Sequence, residues 1–264
     1  MIEEATQTVM EDTKKLIDKR AFLVGKTVYL RPPDSQKDVL SGDWFSWFND
    51  KATTRYINQG AWPNTIEKQT AYVEALKHDR TRLVLCIVDR RTQRHRGVVS
   101  FSSIDLLNRR AQIAIVMGAK RYPPEAPIEA MALMTQHAFD RLNLLKLNAG
   151  QCEELWKWIN ILELIGYRIE GYTEVCLLRD GRSHHGVYTG ITAERFYRLK
   201  QERGGRLLPD DIQGLLRRRR KENLVQKAKA VWLGLYGEQR PEESLAGSSP
   251  YPEASDLADA VEGA

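Results

Sequence analysis

The sequence predicts an α+β fold in which a mixed, mostly antiparallel central sheet is flanked by helices, with helical extensions at both ends. Three observations predict it. Residues 83–89, 97–104 and 111–117 are strand-like runs separated by turns rich in Arg, Thr, Gln and Asn, the pattern of an antiparallel meander. Apolar residues recur at helical spacing across 129–141 and 154–164, with a short strand-like run at 146–151 between them, which places helices against that sheet. A hydrophobic content of 42% with 28% charged residues, in a chain of 264, supports one full core plus extensions and excludes a wholly disordered chain.

The elements follow in order. Residues 1–22 read as an N-terminal helical extension with a weak apolar stripe at Val9 and Leu16. The main domain, 23–200, opens with a strand at Thr27-Val28-Tyr29-Leu30-Arg31 that ends in Pro32-Pro33, residues that cannot donate to a ladder. Trp44, Phe45, Trp47 and Phe48 stand at helical spacing in 43–49, and 65–77 opens with Thr65, a residue suited to capping. After the meander and the two later helices, 166–170, 173–178 and 186–191 read as further strands. Beyond Gly204-Gly205, the 201–236 segment reads as a charged C-terminal helix over 210–236, with apolar Leu215, Leu216, Leu224, Val225, Val231, Trp232 and Leu235. Residues 237–264 read as a disordered acidic tail.

Composition narrows the function classes. No apolar run approaches the roughly 20 residues needed to cross a bilayer, and residues 1–20 are charged with no apolar core of a secretory leader, so a cytoplasmic location without a membrane partner is expected. Cys86, Cys152 and Cys176 are widely spaced, and two lie in apolar runs, which suggests small buried hydrophobes rather than a metal site or a disulfide framework. The formal charge of +5 is uneven, with a basic run at 217–221. That run is either a solvated helix face or a phosphate contact to RNA or DNA. The apolar residues around it need burial against the body, a second subunit or another protein.

The order of elements resembles the GNAT acyltransferase superfamily, and local sequence is similar to its RimJ/RimL-like branch, which includes protein N-terminal and nucleotide-sugar N-acetyltransferases. The residues that carry this are Ala111-Gln112-Ile113-Ala114 through Gly118, Glu129-Ala130, Ala138-Phe139, Leu142, Leu144, Lys146, Glu163, Gly166-Tyr167 and Glu170-Gly171. The resemblance implies a cleft between two splayed parallel strands that holds the pantetheine arm of acyl-coenzyme A. A turn at a helix N-terminus would present backbone N–H groups to the pyrophosphate. It assigns donor contacts to Val116, Met117, Lys120, Arg121, Tyr122, Ala126 and Ile128, with acetyl-coenzyme A or another acyl donor as cosubstrate.

At that turn the chain departs from the family pattern. The stretch Arg121-Tyr122-Pro123-Pro124-Glu125-Ala126-Pro127-Ile128 has Pro123 and Glu125 where glycines are expected. Its three prolines have no N–H to offer, and Glu125 places a negative charge beside the diphosphate site. Leu155 and Trp158 stand where relatives carry Asn and Ser, and Leu162 where many carry a Tyr that protonates the departing thiolate. The acidic residue often present on the fourth strand is Gln112. A degenerate coenzyme A site is therefore expected. It either survives as a rigid connector or takes a donor through side chains such as Lys120 and Arg121.

The candidate catalytic residues are His184, His185 and Tyr188. Either imidazole can take a proton from an ammonium acceptor, or both can be ordinary hydrogen-bonded turn residues. Trp44, Tyr56, Trp62 and Gln112 are the candidate acceptor residues, since flat rings stack on sugars or bases; packing of helix on sheet is the alternative for the aromatics. Two functions follow. One is acyl transfer to a primary amine of a small molecule, such as an amino sugar nucleotide, or of a protein N-terminus, with atypical donor binding. The other is a non-catalytic scaffold or binding protein that engages a partner, or a second copy of itself, through its terminal helices.

Overall fold

The computed structural model describes residues 18–236; the expectations for 1–17 and 237–264 lie outside the described residues. The chain divides after Gln226 into two units, and the sheet with its covering helices belongs to the first. Among the described residues the strands are β1 (Leu23–Val24), β2 (Val28–Arg31), β3 (Leu83–Asp89), β4 (His95–Asp105), β5 (Arg110–Met117), β6 (Lys146–Cys152), β7 (Arg168–Arg179) and β8 (Arg182–Thr192). The helices are α1 (Trp44–Trp47), α2 (Lys51–Thr54), α3 (Ile66–Leu76), α4 (Ala126–Asp140), α5 (Trp156–Glu163), α6 (Ala193–Glu202), α7 (Ile212–Arg217) and α8 (Leu224–Tyr236). A π-helical turn spans Ser35–Leu40 and a 3-10 turn Glu153–Leu155.

The strands form one sheet in the order β1-β2-β3-β4-β5-β6-β8-β7. Its pairings are antiparallel except for β5 with β6, so the mixed α+β architecture and the 83–117 meander are as the sequence predicts. Successive residues of a strand face opposite sides, and this sheet is covered on both. Leu85 and Ile87 of β3 join Val28, Leu30, Val99 and Phe101 in the larger core with α4, while Val84, Cys86 and Val88 join Tyr29, Trp44, Trp47 and Val73 on the other face. Each fully buried Leu, Ile or Phe of this kind stabilises the fold by about 1.5–3 kcal/mol.

Local chemistry sets the helix starts. Thr65 Oγ1 accepts from Lys68 N–H at 3.2 Å, Thr192 caps α6 through Arg195 N–H at 3.3 Å, and Asp211 caps α7 through Gly214 N–H at 2.7 Å. Helix α4 begins at Ala126, three residues before the predicted start, with Pro127 in its first turn. Pro is compatible there because its missing N–H has no intrahelical partner to lose. Glu129 instead turns its carboxylate to the start of β2, where it accepts from the N–H groups of Lys26, Thr27 (2.8 Å) and Val28 (3.1 Å) and from the Thr27 hydroxyl.

Three expectations are corrected. The single helix over 210–236 is two, α7 and α8, separated at Arg218–Asn223. Like charges at helical spacing oppose each other in the Arg217–Lys221 run, and the Asn223 side chain accepts from Gln226 N–H at 3.1 Å to start a new helix. The two strands expected at 166–178 are one, β7, because bulges at Ile169/Gly171 and Thr173/Leu177 interrupt its register without ending it. Cys176, on this edge strand, is exposed rather than buried.

A buried charge group anchors the smaller core. Arg31 donates from Nη1 and Nη2 to both carboxylate oxygens of Asp38, at 2.7 and 2.6 Å, and His95 Nδ1 lies 3.3 Å from the same carboxylate. Burial opposes the Asp38 charge, but the hydrogen bonds from Arg31 and His95 more than offset it and hold the carboxyl far below its ordinary range. A depressed carboxyl contributes stability that is present above its unfolded value of about 3.9 and is lost as pH falls through the folded value. Asp38→Asn leaves the Arg31 cation buried without its partner and is expected to cost about 3–5 kcal/mol at pH 7 in urea unfolding. That difference narrows as the measurement moves below about pH 4; a penalty that does not change with pH contradicts the assignment.

Candidate active site

The parallel pairing of β5 with β6 covers only Arg110–Gln112 against Lys146–Asn148. Beyond it β5 continues on β4 through Met117 and β6 continues on β8 through Cys152, so the two strands diverge with their facing edges unpaired. A cavity of about 670 Å³ fills the opening. Its walls are Ile113–Val116 of β5, Gly150 and Gln151 of β6, Met131 of α4, and Leu155 with Trp158 at α5, so Trp158 lines the cleft and leaves it open.

The far end is built by α1, α3 and the 56–64 loop. Trp44, Phe48, Tyr56, Trp62, Asn64, Lys68, Gln69, Tyr72 and Arg82 line it. The loop is tied down by polar bonds. Arg179 Nη2 donates to the Ile57 carbonyl at 2.7 Å, and Asn49 and Asn64 exchange two bonds of 2.8 Å. Three buried polar atoms among the lining residues have no partner: the Trp44 indole N–H, Gln69 Nε2 and Gln151 Oε1. Buried polar groups without partners are costly, and these three atoms lie sealed behind the lining rather than open to the cavity.

The residues expected from the sequence divide as follows. Val116, Trp44, Tyr56 and Trp62 line the cavity, with Trp44 also packed in the smaller core and Trp62 79% exposed. Met117 packs against the main core, and Gln112 is exposed outside the cavity. Ala126 and Ile128 are buried in the main core, so only their backbone groups are available, and the Ala126 N–H already donates to the Pro123 carbonyl at 2.9 Å. Lys120, Arg121 and Tyr122 are exposed, and Lys120 lines a separate depression beside Trp47 and Asp50. The N–H groups of Gly118 and Ala119 both donate to the Arg96 carbonyl at 3.1 Å.

His184, His185 and Tyr188 share β8 but not surroundings. His184 Nδ1 bonds the Glu154 carboxylate, and its ring meets Tyr56 edge-on at 5.6 Å. His185 stacks on Tyr172 at 5.6 Å and accepts from Val175 N–H at 3.3 Å. Tyr188 is half-exposed opposite Gly150 of the cleft wall. Sequence reasoning missed Glu154, Gln69 and Gln151; Glu154 carries no local signal, because its partner is 30 residues away. Leu162 is fully buried, and the Asn160 side chain donates to the Arg220 and Glu222 carbonyls at 3.0 and 2.7 Å, a structural use.

Asp38, Cys86 and His95 bring possible metal-binding atoms within 4.8 Å of one another. Arg31 already occupies both Asp38 oxygens, His95 Nε2 pairs with the Gly97 carbonyl at 2.9 Å, and burial pushes the Cys86 thiol well above its ordinary range. A cation there would face a guanidinium and a protonated thiol, so the residues do not fit a metal.

The Acetyltransferase (GNAT) domain model matches residues 27–168. A search of curated proteins gives no match. Among solved structures, a GCN5-related N-acetyltransferase from Brucella melitensis is similar at 19% identity and TM-score 0.59, covering 75% of this chain and 95% of that one. Spermidine N-acetyltransferase from Vibrio cholerae, in complex with CoA and spermine, is similar at 16% identity and TM-score 0.59, with 66% of this chain and 99% of that chain covered. An acetyltransferase of the GNAT family from Bacillus anthracis is similar at 19% identity and TM-score 0.55, with 66% and 99% covered. Among the described residues no helix is long and apolar enough to cross a membrane.

Two measurements probe this geometry. A Cβ at Gly118 would lie 1.8 Å from Trp47 Cδ2, so Gly118→Ala must displace the indole and is expected to lower stability by about 1–3 kcal/mol in chemical unfolding; an unchanged midpoint contradicts the packing of the β5 turn on α1. Cys152 and Cys176 stand with their sulfurs 3.9 Å apart, and burial together with the Cys176 sulfur pushes the Cys152 thiol up to about 12. Brief iodoacetamide treatment at pH 8, read by peptide mass, is expected to label Cys176 and spare Cys152, because only the thiolate reacts. Faster labelling of Cys152 rejects the assigned burial.

Proposed function

The chain belongs to the acetyltransferase (GNAT) domain family, and from that membership we propose that it moves an acyl group from a thioester to the primary amine of a small molecule or of a protein N-terminus, in the manner of the RimJ/RimL-like branch. The observation that carries this reading is the open cleft where β5 and β6 part. Its unpaired strand edges suit an acyl-pantetheine arm, whose amides need both donors and acceptors. The turn beyond it fits a diphosphate poorly: Pro123, Pro124 and Pro127 lack N–H groups, and the N–H groups of Gly118, Ala119 and Ala126 are spent within the protein. A donor held mainly by its pantetheine arm, with Lys120 and Arg121 contributing charge, is the reading these residues support. Acetyl-coenzyme A is the first candidate.

We assign His184 as the base, because Glu154 orients it and Tyr56 joins it to the cavity wall. It takes the proton from the ammonium, the amine nitrogen attacks the thioester carbonyl, and the backbone N–H of Met117, on the β5 edge turned away from β4, is assigned to the developing oxyanion. The carbon–sulfur bond then breaks as the attacking nitrogen gives up its second proton to solvent and becomes the amide. With Leu162 in place of a phenol, Tyr188 is assigned to return a proton to the thiolate.

The lining also bears on the acceptor. No Asp or Glu lines the cavity among the described residues, whereas Lys68 and Arg82 do. A polycation such as spermidine finds no counter-charge there. An amine attached to a neutral or anionic, oxygen-rich body, such as an amino sugar nucleotide, does find donors and rings to stack on. A non-catalytic binding protein is the second reading, favoured by Leu162 and the proline turn; it would use its terminal helices to engage a partner protein or a second copy.

Calorimetry with acetyl-coenzyme A followed by an acceptor panel tests the proposal. Binding is expected, with acetylation of an amino sugar phosphate faster than of spermidine, and His184→Gln is expected to lower kcat by about 10²–10⁴-fold with donor affinity retained. No heat at millimolar donor removes the coenzyme A reading. Donor binding without turnover of any amine selects the second one.

A further inference from the structure

A second concavity, of about 410 Å³, lies where the end of α5, the start of β7, α6 and the segment after α7 meet. Six arginines line it, Arg168, Arg195, Arg198, Arg203, Arg218 and Arg220, against two carboxylates, Glu163 and Glu202. Part of this charge is answered within the protein. Arg168 and Arg220 pair with Glu163 at 3.4 and 2.9 Å, and Arg198 pairs with Glu194.

The remaining three form no ion pair among the described residues. Arg203 is held by carbonyls only, donating to Leu207 at 2.6 Å and Leu164 at 2.9 Å, and burial with the nearby Arg218 charge lowers its pKa. Arg195 Nη1 is buried with no partner. Three guanidinium groups without an ion pair face one hollow, and the Glu202 charge beside Arg203 answers only part of theirs; an anion in the hollow would relieve the remaining repulsion. Asn160 helps to set this geometry, since its bonds to the Arg220 and Glu222 carbonyls hold the basic segment against α5.

We propose that this hollow is a binding site for a multiply charged phosphate anion, separate from the acyl-transfer cleft. Planar guanidinium forks match phosphate oxygens in pairs, and three unpaired cations call for more charge than a single carboxylate carries. The ligand class is a chain of two or three phosphates, either free or at the end of a nucleotide. The site has no residue in common with the cleft, so it stands or falls independently of the acyl-transfer reading.

The test is calorimetric titration of the full chain with sodium tripolyphosphate, with sodium sulfate at matched ionic strength as the control. Saturable binding is expected for tripolyphosphate beyond the sulfate response. Arg195→Gln and Arg218→Gln are each expected to weaken it by about tenfold or more, while Lys120→Ala, at the donor turn, leaves it unchanged. Arg218 makes no side-chain bond among the described residues, so that variant reads the site even if Arg195→Gln fails to fold. Titration with a nucleoside triphosphate separates the two sources: tighter binding than tripolyphosphate assigns the nucleotide, equal binding the free chain. No binding beyond sulfate, or loss in Lys120→Ala with retention in the arginine variants, overturns the proposal. So does tight binding of a single-stranded RNA when tripolyphosphate is silent.

Discussion

The structure depends on the point at which β5 and β6 stop bonding to each other. Each strand has a second neighbour, β4 for one and β8 for the other, so neither loses its ladder when they part after Gln112 and Asn148. The sheet thus stays continuous at one end and opens at the other. An opening in a sheet exposes backbone groups that only a ligand or water can satisfy. Core side chains brace it from behind, with α4 packed on the closed region and Glu129 tying that helix to the first long strand.

The two faces of the sheet do different work. The α4 face is almost wholly apolar and sets the strand positions. The α1–α3 face mixes rings with the buried Arg31–Asp38–His95 group, and it supplies the helical wall of the cleft. Trp47 links the two ends of this arrangement, packed edge-on against His95 at 4.8 Å and close against Gly118 at the turn leaving β5. Trp47 thereby ties the α1 side by packing to the turn that leaves β5.

Family membership does not by itself fix the chemistry of this chain. The opening between the strands is present, the turn after β5 carries Pro123, Pro124 and Pro127, and Leu162 is fully buried in the main core. A fold does not specify an activity; the groups at its site do. Here the cleft has an aromatic wall bearing Lys68 and Arg82, and the His184–Glu154 pair lies outside that lining, in ring contact with Tyr56.

Local chemistry determined much of this from the sequence alone. Residues 83–89 run apolar with β-branched residues and fold as a strand with those bounds, and Thr65 caps the helix it was expected to cap. These features rest on neighbours in the chain. Tertiary structure decided what depends on distant residues. The carboxylate on His184 comes from Glu154, and the bulges of β7 arise from its pairing with β8. Gln112 lies outside the cavity while Gln69 and Gln151 line it, and arginines spread between positions 168 and 220 gather around one hollow. Side chains that far apart in sequence have no local pattern in common, and only the closing of the sheet and the packing of helices on it bring them within bonding distance.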